Sequence, residues 1–162
     1  MNMEATVGWL KDRELIRDLP LRYALGVDRI DFDLVRFNFH PDCQVKGTVV
    51  SGPLDPYLDW TEAELRKFDS TLHVMGNQYV ELDEGADEGR METYAVAYHM
   101  RPEESGVDDL ILGLRYCDDV ARFGDRWLIT ARTAVPQWVR GPIPNAPEEL
   151  KSKWHGKTFP SV

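Results

Sequence analysis

Apolar positions recur at helical spacing through the N-terminal segment, where Leu15, Ile16, Leu19 and Tyr23 share one face of a helix running from Trp9 to Asp28. Pro20 interrupts that face and predicts a kink or a division into two shorter helices. Phe32, Val35 and Phe39 then mark one side of a second helix. Asp31 is placed to cap it, and His40-Pro41-Asp42 should end it. Residues 44–50 read as a short strand, followed by a loop through Gly52 and Pro53. Thr61 and Glu64 have capping-box spacing and predict a helix over 61–68. Beyond Ser70 the period changes from helical to alternating. Leu72, Val74, Val80 and Leu82 outline one strand, and further strands are expected over 91–101, 109–123 and 126–138. An acidic, glycine-containing hairpin at 82–90 and a tight Gly124-Asp125 turn join them. Helices followed by long antiparallel strands predict an α+β fold, with helices on one face of a curved sheet.

With 162 residues the chain fits one domain, expected over 1–140. Residues 141–162 form a tail broken by Pro142, Pro144, Pro147 and Pro160. Only 148–154 could make a helical turn or two, and Trp154 and Phe159 call for packing on the domain or a neighbouring subunit. A formal net charge of -9 argues against nucleic acid, whose phosphates need a basic footprint, and against a membrane-surface role. No apolar run approaches the roughly 18 residues of a spanning helix. The start, MNMEATVGWLKDREL, has neither the basic opening nor the apolar core of a secretion signal. Cys43 and Cys117 fit no metal spacing and are expected as free thiols of a reducing compartment. A cytoplasmic location is the expectation.

Asp31 has a local task as a helix cap, but Asp28, at the end of the preceding helix, has none. Of the four histidines, His40 and His155 lie in turn and tail contexts and read as surface residues. Alternation places Thr71, His73, Met75, Asn77 and Tyr79 on one strand face, and Thr93, Ala95, Ala97 and His99 on another. Small residues beside a histidine leave room for a pocket. A strand histidine is more often a packed residue than a base. The functional reading strengthens if a carboxylate reaches it, and Asp28 is the best placed to do so.

The segments RYALGVDRIDFDLVRFNFHPDC, STLHVMGNQYVEL and YCDDVARFGDRWLITARTAVPQWV resemble the opening helices and later strands of SnoaL-like proteins, in the nuclear transport factor 2-like superfamily. The likeness runs from Leu15 to about Val139. It implies a cone-shaped barrel, a strongly curved antiparallel sheet wrapped around N-terminal helices with a deep pocket. Members of the family act as scytalone dehydratase, bile-acid dehydratase and hexachlorocyclohexane dehydrochlorinase. In these, the carboxylate ending the first helix works with strand histidines. Asp28 matches that carboxylate, His73 the pocket histidine, and His99 a second histidine. Tyr23 falls at the position of a functional tyrosine, where the dehydrochlorinase has a lysine, and Arg132 at that of a pocket arginine. Tyrosine there tilts the choice towards loss of water.

Plainer readings stand beside these. Tyr23 also fits core packing, and Arg132 could pair with Asp118 or Asp119 across the last hairpin. Asp28, His73 and His99 have the composition of a two-histidine, one-carboxylate iron site, but no local metal motif, and no metal or other cofactor is expected. The leading expectation is a cofactor-independent, dehydratase-type lyase acting on a cyclic, mostly apolar small molecule through an Asp-His dyad. Isomerisation by the same base and non-catalytic binding of a small molecule are the alternatives. The resemblance further implies a homo-oligomer, trimer or dimer.

Overall fold

A computed structural model describes residues 3–143. The tail beyond, with its expected helical turn and its packing through Trp154 and Phe159, lies outside the described residues. Helix α1 (Met3–Arg29) runs through Pro20 as one element, so of the kink or division expected there the division does not occur. Proline deprives the Ile16 carbonyl of its partner, a loss of about 3 kcal/mol in an exposed helix interior. Here Pro20 is buried on the same face as Ile16, Leu19, Tyr23 and Val27, so packing on both sides offsets the missing bond. The helix ends in a Schellman arrangement. Asp31 N–H donates to the Gly26 carbonyl at 2.9 Å and Ile30 N–H to the Val27 carbonyl at 3.2 Å. Ile30 takes the left-handed position, with φ of 55°.

Helix α2 (Phe32–Arg36) is capped as expected, the Asp31 carboxylate accepting from Leu34 N–H at 3.0 Å. It is shorter than its apolar spacing implies, because Phe39 already opens strand β1 (Phe39–Lys46). His40-Pro41-Asp42 therefore lie in that strand. The register against its neighbour shifts between Phe39 and Gln44, and this irregularity accommodates a proline that has no N–H for a ladder. After β2 (Ser51–Pro53), helix α3 spans Leu54–Leu65 rather than starting at Thr61. Thr61 is no cap. Its hydroxyl donates to the Tyr57 carbonyl one turn back, a bond open to threonine inside a helix.

Strands β3 (Ser70–Glu81), β4 (Glu88–Met100), β5 (Leu110–Phe123) and β6 (Arg126–Arg140) follow, with a short 3₁₀ turn, Glu103–Ser105, between β4 and β5. The six strands form one sheet in the order β2-β1-β6-β5-β4-β3. All neighbours are antiparallel except β1 and β6, which run parallel, so the sheet is mixed. The α+β class holds, but the cone-shaped barrel does not: the sheet is open, with β2 and β3 as its two edges, and is not curled into a cone. Three-residue β2 is too short to close a ladder with twelve-residue β3. The helices cover one face instead, α1 against β3 and β6, and α3 against β1 and β2. In place of a deep pocket the helix–sheet interface holds a cavity of about 110 Å³.

On β4 the inward set Thr93, Ala95, Ala97 and His99 matches strict alternation. On β3 alternation breaks at a register shift between Met75 and Gln78. Thr71, His73 and Met75 face the helices, but Tyr79 is 66% exposed and Val80 is buried instead. No helix among the described residues is long and apolar enough to cross a membrane.

Candidate active site

Asp28 occupies the last turn of α1, where the helix presents partial negative charge and a carboxylate is unfavourable. Its stabilisation comes from β3, which packs alongside. Asp28 Oδ1 lies 2.7 Å from His73 Nδ1 and accepts from the Thr71 hydroxyl at 2.8 Å, while Oδ2 accepts from the His73 backbone N–H at 2.8 Å. Burial works against the charged carboxylate. The His73 ring, the His73 backbone N–H and Thr71 outweigh it and hold the Asp28 carboxyl below the ordinary carboxylate value. An ionised Asp28 accepts only, so His73 Nδ1 carries a proton towards it, and Nε2 presents a lone pair when the ring is neutral. The His73 side chain is 5% exposed, which makes its freedom to donate or accept through Nε2 a matter of the cavity and not of bulk water.

His99 lies across from Thr71 in the β3–β4 ladder, its ring centroid 5.5 Å from that of His73 and edge-on to it. Asp28 has its short contact with His73. His99 Nδ1 bonds the Leu110 carbonyl at 3.2 Å, which fixes the Nδ1–H tautomer. Burial first, and then the neighbouring His73, push His99 down to about 4, so its ring is neutral near pH 7. Phe68 covers it at 5.0 Å between centroids.

Arg132 is the largest fully buried side chain among the described residues and stands directly opposite Asp118 in the β5–β6 register. It donates through Nε at 2.7 Å and Nη2 at 2.8 Å to the two carboxylate oxygens of Asp118, a bidentate pair. Asp119, the other partner considered, meets Arg90 instead. The Arg132 guanidinium lies 4.4 Å from the ring centroids of both Tyr23 and Tyr116. Burial opposes its charge, but Asp118 outweighs burial and keeps Arg132 protonated. Tyr23, Tyr57 and Tyr116 have their hydroxyl acidities weakened mainly by burial, so all three are neutral donors.

These residues surround the cavity unequally. His73, His99, Tyr23, Tyr57, Tyr116 and Glu64 line it among apolar side chains that include Leu112, Leu114 and Trp60. Asp28 and Arg132 stand behind the wall, one touching His73 and the other the tyrosine rings. Tyr57 was missed in the sequence because it precedes the expected start of α3, and Glu64 because its spacing from Thr61 gave it a capping role instead. Pro56, placed in a first helical turn where proline is tolerated, was the available signal. Tyr116 shares the inward parity of Leu112, Leu114 and Asp118 and could have been found by alternation. No group of three or more His, Cys, Asp or Glu among the described residues is arranged to hold a metal ion.

A SnoaL-like domain model matches residues 9–133, which takes in most of α1, all of α3, β3, β4 and β5, and the first half of β6. The chain belongs to the SnoaL-like domain family. That places it in the nuclear transport factor 2-like superfamily. Solved structures agree on the fold. The Kfla4162 protein of Kribbella flavida is 24% identical, with 80% of this chain and 93% of that one covered and a TM-score of 0.72. A provisionally assigned scytalone dehydratase of Novosphingobium aromaticivorans is 21% identical, covering 87% and 94%, with a TM-score of 0.76. The type-3 hexachlorocyclohexane dehydrochlorinase of Novosphingobium barchaimii is 14% identical, covering 88% and 97%, with a TM-score of 0.73. No curated protein matches this SnoaL-like chain in sequence.

Proposed function

We propose that this SnoaL-like protein is a lyase that eliminates water from a small, cyclic, mostly apolar substrate, using only its own side chains. The observation that carries the reading is the Asp28–His73 contact, with His73 Nε2 left free at a cavity wall. Asp28 stabilises the imidazolium that forms when Nε2 takes a proton, whereas burial disfavours a charged His99. His73 is therefore the base, and neutral His99 accepts a hydrogen bond through Nε2.

In the proposed step, Nε2 of His73 removes a proton from the carbon beside a ketone, and the bonding pair moves into an enolate. Tyr23, with Tyr116 beside it, donates to the enolate oxygen, and Arg132 acts through their rings as a buried positive charge. The enolate re-forms its carbonyl, the bond from the β-carbon to hydroxyl breaks, and His73 returns its proton to the departing oxygen. The products are an enone and water, with the enzyme restored. General base catalysis of this kind contributes about 10²–10⁴-fold. The neighbouring pair of imidazoles also favours a second reading, in which the proton returns to another carbon and the reaction is isomerisation.

Turnover of a panel of monocyclic β-hydroxy ketones, beginning with 3-hydroxycyclohexanone, tests the proposal through formation of the conjugated enone. Loss of turnover in both Asp28→Asn and His73→Ala, with native circular dichroism, is expected. Wild-type rates in both variants would defeat it. Binding of the panel without turnover by the wild type would favour a binding module.

A further inference from the structure

Four buried side-chain polar atoms among the described residues have no hydrogen-bond partner: Glu64 Oε2, Thr93 Oγ1, Arg115 Nε and Arg132 Nη1. Of the residues that carry them, only Glu64 lines the cavity. Glu64 lies in the last turn of α3, with its Oε1 engaged by Lys67 Nζ three residues on. Its side chain is 13% exposed, and Oε2 is closed to solvent. A buried carboxylate oxygen without a donor is costly unless something outside the chain supplies one. Leu65, Trp60 and Phe68 line the wall with it, and so does Thr61, one turn back on α3, whose hydroxyl proton is already given to the Tyr57 carbonyl.

The cavity volume limits what can supply that donor. About 110 Å³ is somewhat less than the roughly 150 Å³ of an apolar cavity known to admit benzene. One ring is the size of ligand that this volume matches, with small side-chain adjustment. We infer that Glu64 is a specificity residue: it accepts a hydrogen bond from a hydroxyl carried by a single-ring ligand whose apolar edges face the leucine wall. This rests on the site described above as the ligand site, and names the kind of molecule that it takes.

The test titrates the full-length protein calorimetrically with phenol and with fluorobenzene, rings of similar size of which only phenol has a donor. The affinity ratio of phenol to fluorobenzene is expected to fall at least about tenfold from wild type to Glu64→Leu, the scale of one hydrogen bond to a charged acceptor, with fluorobenzene binding retained. Glu64→Gln keeps the shape and a neutral acceptor, and a partial fall there supports the inference even where the leucine variant folds poorly. An unchanged ratio in both variants, or a wild type that binds neither probe, would overturn it. Asp28→Asn should lose elimination yet keep the phenol preference. Failure of the base and failure of the Glu64 assignment are thus read separately.

Discussion

Replacing Asp28 by asparagine changes one atom of the carboxylate and leaves its shape, which makes it a test of protonation and not of packing. In the wild type both carboxylate oxygens accept, Oδ1 from the His73 ring and Thr71 and Oδ2 from the His73 backbone N–H. Asparagine has one oxygen and one NH₂. The backbone N–H of His73 can only donate, so the amide oxygen must turn towards it, and the NH₂ then faces His73 Nδ1. To accept that donor, His73 must move its proton to Nε2. Nε2 becomes a donor and can no longer serve as the proposed base.

The size of the effect follows from what is kept. The hydrogen bond to the backbone survives, and the ring contact survives with donor and acceptor exchanged. The charge is lost, and the Thr71 hydroxyl meets an NH₂ to which it must accept. Hydrogen bonds to charged groups contribute about 1.5–3 kcal/mol and neutral ones about 1, so a stability loss of about 1–3 kcal/mol is expected. Turnover should fall by about 10²–10⁴-fold, because the base is in the wrong tautomer. The pH dependence has a definite sign. Asp28 has a folded-state value below the ordinary carboxylate value, so its contribution is complete above about pH 4. It is lost as pH falls through the lower folded value, and the two proteins should converge in strong acid. Nitrogen-15 NMR of the imidazole ring reads the tautomer without any substrate, and urea unfolding at several pH values reads the linkage. A variant that keeps the proton on Nδ1 and keeps wild-type turnover would refute the reasoning.

Between about pH 6.5 and pH 4 an unfolded His99 holds a proton that the folded one does not, so folding weakens by up to roughly 3 kcal/mol as pH falls across that window. In His99→Gln the urea midpoint should depend less on pH, and identical slopes would count against the buried neutral ring. Asp118→Ala leaves the Arg132 guanidinium charged and unpaired inside the core, and should cost about 3–5 kcal/mol in chemical denaturation. Gly26→Ala adds a Cβ that would lie 2.7 Å from Val35 Cγ2 and 3.0 Å from the Asp31 carbonyl. The helix-propensity gain of about 1 kcal/mol is then outweighed by overpacking of about 1–3 kcal/mol, and the melting temperature should drop.

Periodicity located β4, β5 and β6 closely, and it set His73 and His99 on inward faces, because side-chain alternation is a local property of a strand. The pairing of Asp28 with His73 in place of His99 was not legible. It depends on how far along β3 the end of α1 lies, a tertiary distance. The β3 face was misjudged beyond Met75 because a bulge shifts parity without leaving a strong mark in the sequence. Thr61 and Glu64 carry the spacing of a capping box yet sit in the second half of α3, since that spacing also occurs one turn apart inside any helix. The expected barrel fell for a topological reason: alternation identifies strands but does not say whether the two edge strands meet.

Departures from local preference in this chain gather at one end of the helix–sheet interface. A carboxylate stands at the negative end of α1, and the residue two places on, Ile30, takes a left-handed conformation that costs a β-branched residue about 1–2 kcal/mol. Nearby, a histidine is buried in its neutral form and a glutamate oxygen is buried without a partner. A core selected for stability alone would fill a cavity of about 110 Å³ with larger side chains than Ala97 and Ala134 and would place no carboxylate there. The surrounding bonds do not relieve these costs so much as hold them in place. Three donors fix Asp28, the Leu110 carbonyl fixes His99, and the Asp118–Arg132 pair anchors the tyrosine rings. Strain that is confined and over-determined in this way is what a site held in shape for a ligand would show, and it supports the role proposed for the Asp28–His73 pair.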